Sequence, residues 1–190
     1  MPSVAVIDYG GSNLHSVVKA LEFVADGKHE VYLARDASAL DDADRVVFPG
    51  QGAIADCMAR LGQRGFLEAV SQCATSRPFF GICLGLQSLL QFSAEDGGTP
   101  CLGHIEGEVV RFSTSPGPDS SGLPQKVPHM GWNKVRWTRD HPLIEGIASD
   151  SRFYFVHSYY VAPTDPQAAI GLTSHITEFT SAVATDQTHA

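Results

Sequence analysis

Apolar positions in residues 1–93 follow two alternating patterns. Leu14, Val17, Val18 and Leu21 are spaced as on one face of a helix, which predicts a helix over residues 13–25. Compact apolar runs between turn residues predict buried strands. The predicted strands are residues 4–8, 31–34, 45–48 and 78–82, and the other predicted helices are residues 54–61, 66–75 and 84–93. This βαβαβαβα order predicts a mostly parallel sheet with helices on both sides.

The pattern changes in the second half of the chain, where no long helical stretch follows. Apolar segments there predict strands at residues 108–112, 135–137, 153–161, 168–172 and 179–184. Residues 113–125 are rich in Ser, Pro and Gly, which is typical of a surface loop. We therefore expect a mixed or antiparallel extension of the parallel sheet.

The length of the chain fits a single domain. It has 190 residues, 43% of them hydrophobic, which suffices for one sizeable core. Neither an internal repeat nor a long linker divides it. We predict an α/β fold in one domain, residues 1–190.

Charge and hydropathy exclude two classes of partner. The chain carries 21 acidic and 13 basic residues, and the basic ones are scattered. Nucleic-acid binding needs clustered Lys and Arg, so we expect no such partner. No apolar stretch reaches the ~18 to 20 residues of a membrane span, and the N-terminus lacks a basic targeting region. We predict a cytoplasmic protein without a membrane partner.

The cysteines and histidines do not form a metal-binding pattern. Cys57, Cys73, Cys83 and Cys101 include no C-x-x-C pair, and the eight histidines show no H-x-x-x-H spacing. We predict reduced thiols and no metal site.

Cys83 lies in the sequence Gly-Ile-Cys-Leu-Gly, between a predicted strand and a predicted helix. A sharp strand–nucleophile–helix turn requires small flanking residues and exposes the nucleophile at the end of the strand. A helix N-terminus also favours a thiolate, and the N–H of Leu84 is placed to donate to an oxyanion. The alternative is a buried structural cysteine, which is the interpretation we give to the other three.

Five segments of the sequence resemble one enzyme family. They are GICLGLQ at 81–87, VIDYGGSNLHSV at 6–17, FPGQGA at 48–53, PHMGWNKV at 128–135 and YFVHSYYV at 154–161. Together and in this order they resemble the glutaminase subunit of imidazole glycerol phosphate synthase, a class I (triad-type) glutamine amidotransferase. The resemblance implies a flavodoxin-like α/β fold and a role in histidine biosynthesis.

The resemblance implies the catalytic roles of Cys83 and its neighbours. Cys83 is the implied nucleophile, which forms a γ-glutamyl thioester and releases ammonia. The backbone N–H groups of Leu84 and Gln51 are the implied oxyanion donors, and Gly50 and Gly52 let the loop approach glutamine closely. An ordinary strand-end turn is the alternative for this loop.

The resemblance also implies a binding site for glutamine. Gln87 holds the substrate, and Glu95 pairs with its α-ammonium group. Backbone groups at Ser158 and Tyr159 contact its α-carboxylate, and His157 belongs to the same pocket strand rather than serving as the base. Solvated helix positions are the alternative for Gln87 and Glu95.

A second subunit is implied as partner. A (β/α)₈ cyclase binds the phosphorylated nucleotide substrate and receives the ammonia, making imidazole glycerol phosphate and aminoimidazole carboxamide ribonucleotide. His129, Met130, Trp132, Asn133 and Tyr154 are implied to face this partner or the ammonia exit. The alternative is a polar turn followed by a core aromatic residue. No metal or organic cofactor is implied, and the subunit is expected to be weakly active alone.

The sequence departs from the family in its catalytic base. The family takes the base and its orienting carboxylate from a late His-Pro-Glu segment, and these 190 residues contain none. We expect a truncated active subunit that lacks its C-terminal strand and helix; the alternatives are a catalytically impaired partner-binding module and a stand-alone hydrolase of γ-glutamyl bonds. A lesser departure is Ser12, where glycine is common in the family.

Overall fold

The computed structural model describes residues 1–11, 13–114, 117–118, 122, 124–185 and 188–189. Its first half alternates strands and helices, as the pattern predicted. The elements are β1 (Ser3–Ile7), α1 (Leu14–Ala25), β2 (Glu30–Ala34), β3 (Arg45–Gly50), α2 (Ile54–Gln63), α3 (Phe66–Ser76), β4 (Phe79–Cys83) and α4 (Leu84–Gln87). With β13 (Thr188–His189), the strands form one parallel sheet in the order β13-β4-β3-β1-β2.

Helices cover both faces of this parallel sheet because successive strand residues point to opposite faces. Val4, Val6 and Val47 pack against the apolar side of α1. Their neighbours in the strands, such as Ile7 and Phe48, pack on the other face; the residues of α2 and α3 packed there are Ile54, Cys57, Leu61, Phe66, Val70, Cys73 and Ala74. The predicted parallel sheet with helices on both sides is confirmed.

Helix α4 is shorter than predicted. Residues 84–93 were expected to be one helix, but α4 ends at Gln87 and a short strand, β5 (Phe92–Ser93), follows. Leu89 and Leu90 are fully buried, and the backbone N–H groups of Leu89, Leu90 and Gln91 bond to Leu86, Gln87 and Gly107. Helical spacing does not distinguish a helix from another conformation when a short apolar segment is buried on all sides. Here backbone hydrogen bonds to residues 101–109 take the place of the expected helical ones.

The second half forms an eight-stranded sheet. After β5 its strands are β6 (Thr99–Pro100), β7 (Gly107–Arg111), β8 (His129–Trp137), β9 (Ser151–His157), β10 (Tyr159–Pro163), β11 (Ala169–Ser174) and β12 (Glu178–Val183). Their order is β6-β5-β7-β10-β12-β11-β8-β9. Among the strand pairs described in this second sheet, only β5–β7 is parallel. The predicted mixed extension is confirmed, although it forms a separate sheet.

The predicted strand over residues 153–161 is two strands, so that prediction is wrong. The break is at Ser158, whose carbonyl accepts from the N–H of Phe112. Strand β9 pairs with β8, whereas β10 pairs with β7 and β12. An apolar run does not show that its two ends have different neighbours, and only the tertiary pairing separates them.

Some predictions fall on residues outside the described ones. They concern Ser12 and residues 115, 116, 119–121 and 123 of the predicted loop. Among the residues described, no helix is both long and apolar enough to cross a bilayer.

Candidate active site

Cys83 sits at a sharp strand–helix turn, as the sequence predicted. It is the last residue of β4, and α4 begins at the next position. Its φ is 56° and its ψ is −108°, a conformation that is a genuine outlier for a residue with a side chain. Such strain at an exposed thiol is typical of a nucleophile, so the turn favours a functional role over a structural one.

Close packing explains the two glycines that flank this turn. A Cβ on Gly85 would come within 1.9 Å of the carbonyl oxygen of Phe48, and one on Gly81 within 2.7 Å of the carbonyl carbon of Gly85. Neither backbone neighbour can move aside cheaply. The glycines therefore let α4 pack directly on β3 and fix the direction of Cys83.

The electrostatics of Cys83 differ from our expectation. Partial desolvation in the crevice raises the pKa of its thiol; the N–H of Leu84 opposes this rise, while the charge of Glu95 adds to it. Helix α4 spans only four residues, so its dipole is small. In the protein without substrate or partner, the surroundings of Cys83 thus favour the thiol, whereas the position before a helix led us to expect a thiolate.

The other three cysteines suit structural roles. Cys57 and Cys73 are buried, and Cys101 is half-buried. Burial raises the pKa of Cys57 to about 12 and that of Cys101 to about 11. Cys83 is the one cysteine exposed at a strand end.

A cavity of about 460 Å³ lies between the two sheets and opens beside Cys83. Gln87, one helical turn after Cys83, is buried and lines it. From the second sheet, Tyr154, His157 and Tyr159 line the opposite side. Five residues of the predicted site therefore line one cavity, whereas the predicted residues Gly50, Gln51, Gly52, Glu95 and Ser158 are not among those that line it.

The loop after β3 runs along the Cys83 turn. Gly50 is the register partner of Cys83 on the neighbouring strand, and the exposed residues Gln51 and Gly52 follow it. Beyond the loop, the carboxylate of Glu95 accepts from the N–H of Ile54 at 2.8 Å. Glu95 is therefore attached to the end of this loop while its charge also reaches Cys83.

Hydrogen bonds occupy both ring nitrogens of His157. Its Nδ1 lies 2.8 Å from the carbonyl oxygen of Tyr159, and its Nε2 lies 2.9 Å from Nδ1 of His129. Burial lowers the pKa of this imidazole. A general base needs a nitrogen within reach of the thiol proton, so this arrangement argues against His157 as base.

Comparison with known proteins identifies the family. The model of the class-I glutamine amidotransferases matches residues 5–188. Imidazole glycerol phosphate synthase subunit HisH from Methylococcus capsulatus is 50% identical over 185 residues, which are 97% of this chain and 84% of that protein. The HisH subunit from Nitrosococcus oceani is 50% identical over 100% of this chain and 88% of that protein. The chain belongs to the HisH family of class-I glutamine amidotransferases.

A solved structure shows the shared fold independently of sequence. PurLQS from Thermotoga maritima superposes with a TM-score of 0.70 at 17% identity, over 99% of this chain and 84% of that one. The predicted class-I amidotransferase fold and the predicted resemblance to the HisH family are therefore confirmed.

The HisH-like segment PHMGWNKV forms most of β8, which pairs with β9 in a ribbon at the edge of the sheet. Met130 and Trp132 are 62% and 63% exposed on its outer face, and Tyr154, the register partner of Trp132, is 58% exposed. His129, by contrast, is 4% exposed, and the side chains of His129 and Asn133 bond to each other on the opposite face. We correct the predicted partner-facing set accordingly: strand alternation turns His129 and Asn133 inward.

Sequence reasoning missed two features of this HisH-family site. Val156 is 59% exposed and is the register partner of Met130, so it extends the outer apolar face. His175 stacks on His129 with ring centroids 4.2 Å apart. Val156 could have been predicted to be exposed, because it lies two positions after Tyr154 on the same strand. No local sequence signal indicates the stacking of His175 on His129.

Proposed function

We propose that this chain hydrolyses glutamine to glutamate and ammonia as the amidotransferase subunit of imidazole glycerol phosphate synthase, in histidine biosynthesis. Membership of the HisH family supports the reaction. The observation that carries it in this molecule is the exposed, conformationally strained Cys83 at the mouth of the inter-sheet cavity.

The chemistry begins with the Cys83 thiol. Its Sγ, after losing a proton, attacks the side-chain amide carbon of glutamine and forms a tetrahedral oxyanion. The N–H groups of Leu84 and Gln51 stabilise that charge. The C–N bond then breaks, ammonia leaves with an added proton, and a γ-glutamyl thioester remains. Water hydrolyses the thioester to glutamate and regenerates the thiol.

The cavity supplies the glutamine cradle in this proposal. Gln87, which lines the cavity, contacts the substrate from the buried side. Glu95, which is not among the residues that line the cavity, uses the carboxylate oxygen not bonded to Ile54 for the α-ammonium group. Backbone groups at Ser158 and Tyr159 receive the α-carboxylate. Gly50 and Gly52 allow the loop to approach, and His157 lines the pocket without acting as base.

A (β/α)₈ cyclase is the proposed partner in a heterodimer. Met130, Trp132, Tyr154 and Val156 form the docking patch, an exposed apolar surface that a partner would cover. Tyr154 also borders the cavity, which suits a gate for ammonia passing to the cyclase. We further infer a single domain over residues 1–190, no cofactor, and a cytoplasmic location, where thiols stay reduced.

One role in this mechanism, that of the proton acceptor, is not assigned to a residue. The family's proton acceptor comes from a His-Pro-Glu segment that these 190 residues lack, and the ring nitrogens of His157 are both occupied. Activity should therefore be compared between this chain and the same chain followed by a family-like His-Pro-Glu tail. Activity only with the tail supports the assignment; equal activity without it means that a described histidine is the base.

The decisive experiment measures ammonia release from glutamine in the presence of the cyclase and its nucleotide ligand, with the tailed chain. Cys83→Ala should abolish release, with a loss of about 10⁴-fold or more, as for other triad nucleophiles. The glutamine-like electrophile 6-diazo-5-oxo-L-norleucine should label Cys83. Cys101→Ala is the matched control and should retain both properties. Turnover by the Cys83→Ala protein would contradict the proposal, and a wild-type chain that binds the cyclase without turnover would indicate an impaired module.

A further inference from the structure

A chain of hydrogen bonds crosses the inner face of the second sheet through two histidines. Asn133 Nδ2 lies 3.1 Å from His129 Nε2, and His129 Nδ1 lies 2.9 Å from His157 Nε2. His157 Nδ1 lies 2.8 Å from the carbonyl oxygen of Tyr159. The chain thus links β8, β9 and the first residue of β10. We call it the histidine relay.

The groups at its two ends fix the direction of every bond in the relay. The carbonyl of Tyr159 can only accept, so His157 carries its proton on Nδ1 and accepts at Nε2. His129 must then donate from Nδ1 and accept at Nε2 from the Asn133 amide. That amide is itself oriented, because its nitrogen donates to the carbonyl of Ser174 and its oxygen accepts from the N–H of Lys134. Each imidazole is therefore neutral and held as one tautomer.

Aromatic rings hold the relay rigidly in place. His129 stacks between His175 and Phe155, with ring centroids 4.2 and 4.7 Å away, and Phe179 meets its edge. The outer ring of this stack, His175, bonds through Nε2 to the carbonyl of Lys126. Imidazoles packed in this way have few alternative rotamers, so the relay transmits a defined position to Tyr159.

The relay ends at the break between two strands. Ser158 separates β9 from β10, and Tyr159 is the first residue of β10, where it is the register partner of Arg111 on β7. The Phe112 N–H bonds the Ser158 carbonyl, and the His157 ring bonds the Tyr159 carbonyl. His157 and Tyr159 also line the cavity that opens at Cys83.

We propose that His129, His157 and Asn133 are positioning residues, which hold the Ser158–Tyr159 backbone in the conformation that receives glutamine. The proposal rests on the proposed glutaminase function. The relay also gives the outer partner-facing ribbon a physical link to the substrate pocket, because Asn133 and His129 alternate along β8 with the exposed Met130 and Trp132.

The test measures L-glutamine binding by calorimetry to the chain in complex with the cyclase and its nucleotide ligand. A Cys83→Ala background prevents turnover, so binding is read without catalysis. In that background, His129→Phe keeps the ring stack but removes both hydrogen bonds, and Kd should rise about 10-fold or more. His129→Gln, which can donate and accept at once, should restore Kd to within about 3-fold of the parent. His104→Phe, outside the cavity, is the control and should not change it.

Equal Kd values for the His129→Phe and His129→Gln variants would overturn the proposal. They would show that the hydrogen bonds of His129 do not affect glutamine binding. If a variant fails to fold, a second measurement on the unsubstituted chain still tests the proposal. Nitrogen NMR of the histidine rings should show the proton on Nδ1 of both His129 and His157. A proton on Nε2 of either ring would overturn the relay. If the parent binds no glutamine at all, the proposed function fails, while the ring protonation pattern still decides the relay.

Discussion

The two sheets obtain their parts of the site in different ways. The parallel sheet positions Cys83 by backbone shape: a strand ends, two glycines allow close packing, and the thiol turns outward. The second sheet positions its share by side-chain hydrogen bonds between β8, β9 and β10. The first arrangement depends on glycines two positions from Cys83 and on the close backbone contact with β3 that they allow, and the second on side chains tens of positions apart.

This difference predicts different responses to substitution. A turn of this kind tolerates no added atom at its tight backbone contacts but needs no particular side chain as its partner. A network of side chains can be weakened gradually, with retention of the fold. The following predictions test this contrast, from the largest expected effect to the smallest.

The largest effect is expected at the Cys83 turn. Gly85→Ala places a Cβ 1.9 Å from the carbonyl oxygen of Phe48, so strand and helix must separate. We expect the free energy of unfolding to fall by about 3 kcal/mol or more, measured by urea denaturation. The control Gly62→Ala adds a Cβ in ordinary contact, 3.5 Å from Leu67, within α2, and should be neutral or stabilising. Equal stability of the two variants would refute the tight-packing argument.

The next effect concerns the docking patch. Trp132→Ala removes the largest exposed ring of the patch, which contacts Tyr154 edge-on at 5.7 Å between ring centroids. Affinity for the cyclase should fall about 30-fold, as for an aromatic hot spot, in a calorimetric titration. Phe23 is 85% exposed on α1, and Phe23→Ala is the matched control. If both substitutions weaken binding equally, the patch is not the interface.

Two substitutions at Glu95 separate the effect of its charge from the effect of its hydrogen bond to Ile54. Glu95→Gln keeps an oxygen for the N–H of Ile54 but loses the charge, so KM for glutamine should rise about 10-fold with kcat nearly unchanged. Removing the charge should also lower the raised pKa of Cys83, read from alkylation rate against pH. Glu95→Ala loses the hydrogen bond as well, and kcat should fall too. Identical kinetics of the two variants would show that the bond to Ile54 does not matter.

A substitution at Gln51 tests one explanation for the low activity expected of the subunit alone. If its peptide must rotate before donating to the oxyanion, Gln51→Gly should make rotation easier. Glutaminase activity without the nucleotide ligand should then rise by roughly 3-fold, narrowing the difference between stimulated and basal rates. An unchanged degree of stimulation would argue against peptide rotation.

At neutral pH the smallest effect is the one that the histidine cluster has on stability, because it develops only as pH falls below 6.5. Burial, followed by the proximity of His175 and His157, lowers the pKa of His129 from 6.5 to about 4. The unfolded chain therefore binds this proton at higher pH than the folded chain does. Its contribution to stability is complete above pH 6.5 and is lost as pH falls toward 4. His129→Phe should flatten this part of the stability curve, measured by urea denaturation at several pH values; an unchanged slope would show that other groups dominate.

The sequence by itself determined the parallel sheet, its helices α1 to α3 and the place of Cys83 at the end of a strand. These features follow from apolar periodicity and from glycines beside Cys83, both of which act over a few residues. The five segments of family resemblance also sufficed to identify the family, which the comparisons confirm.

Tertiary structure decided what depends on partners distant in the chain. Pairing ended α4 at Gln87, split residues 153–161 at Ser158 and turned His129 away from the surface. It also raised the pKa of Cys83, because the crevice that surrounds the thiol is built from both sheets. Local propensity does not encode which strands become neighbours, and burial and hydrogen-bond partners are set only once they do.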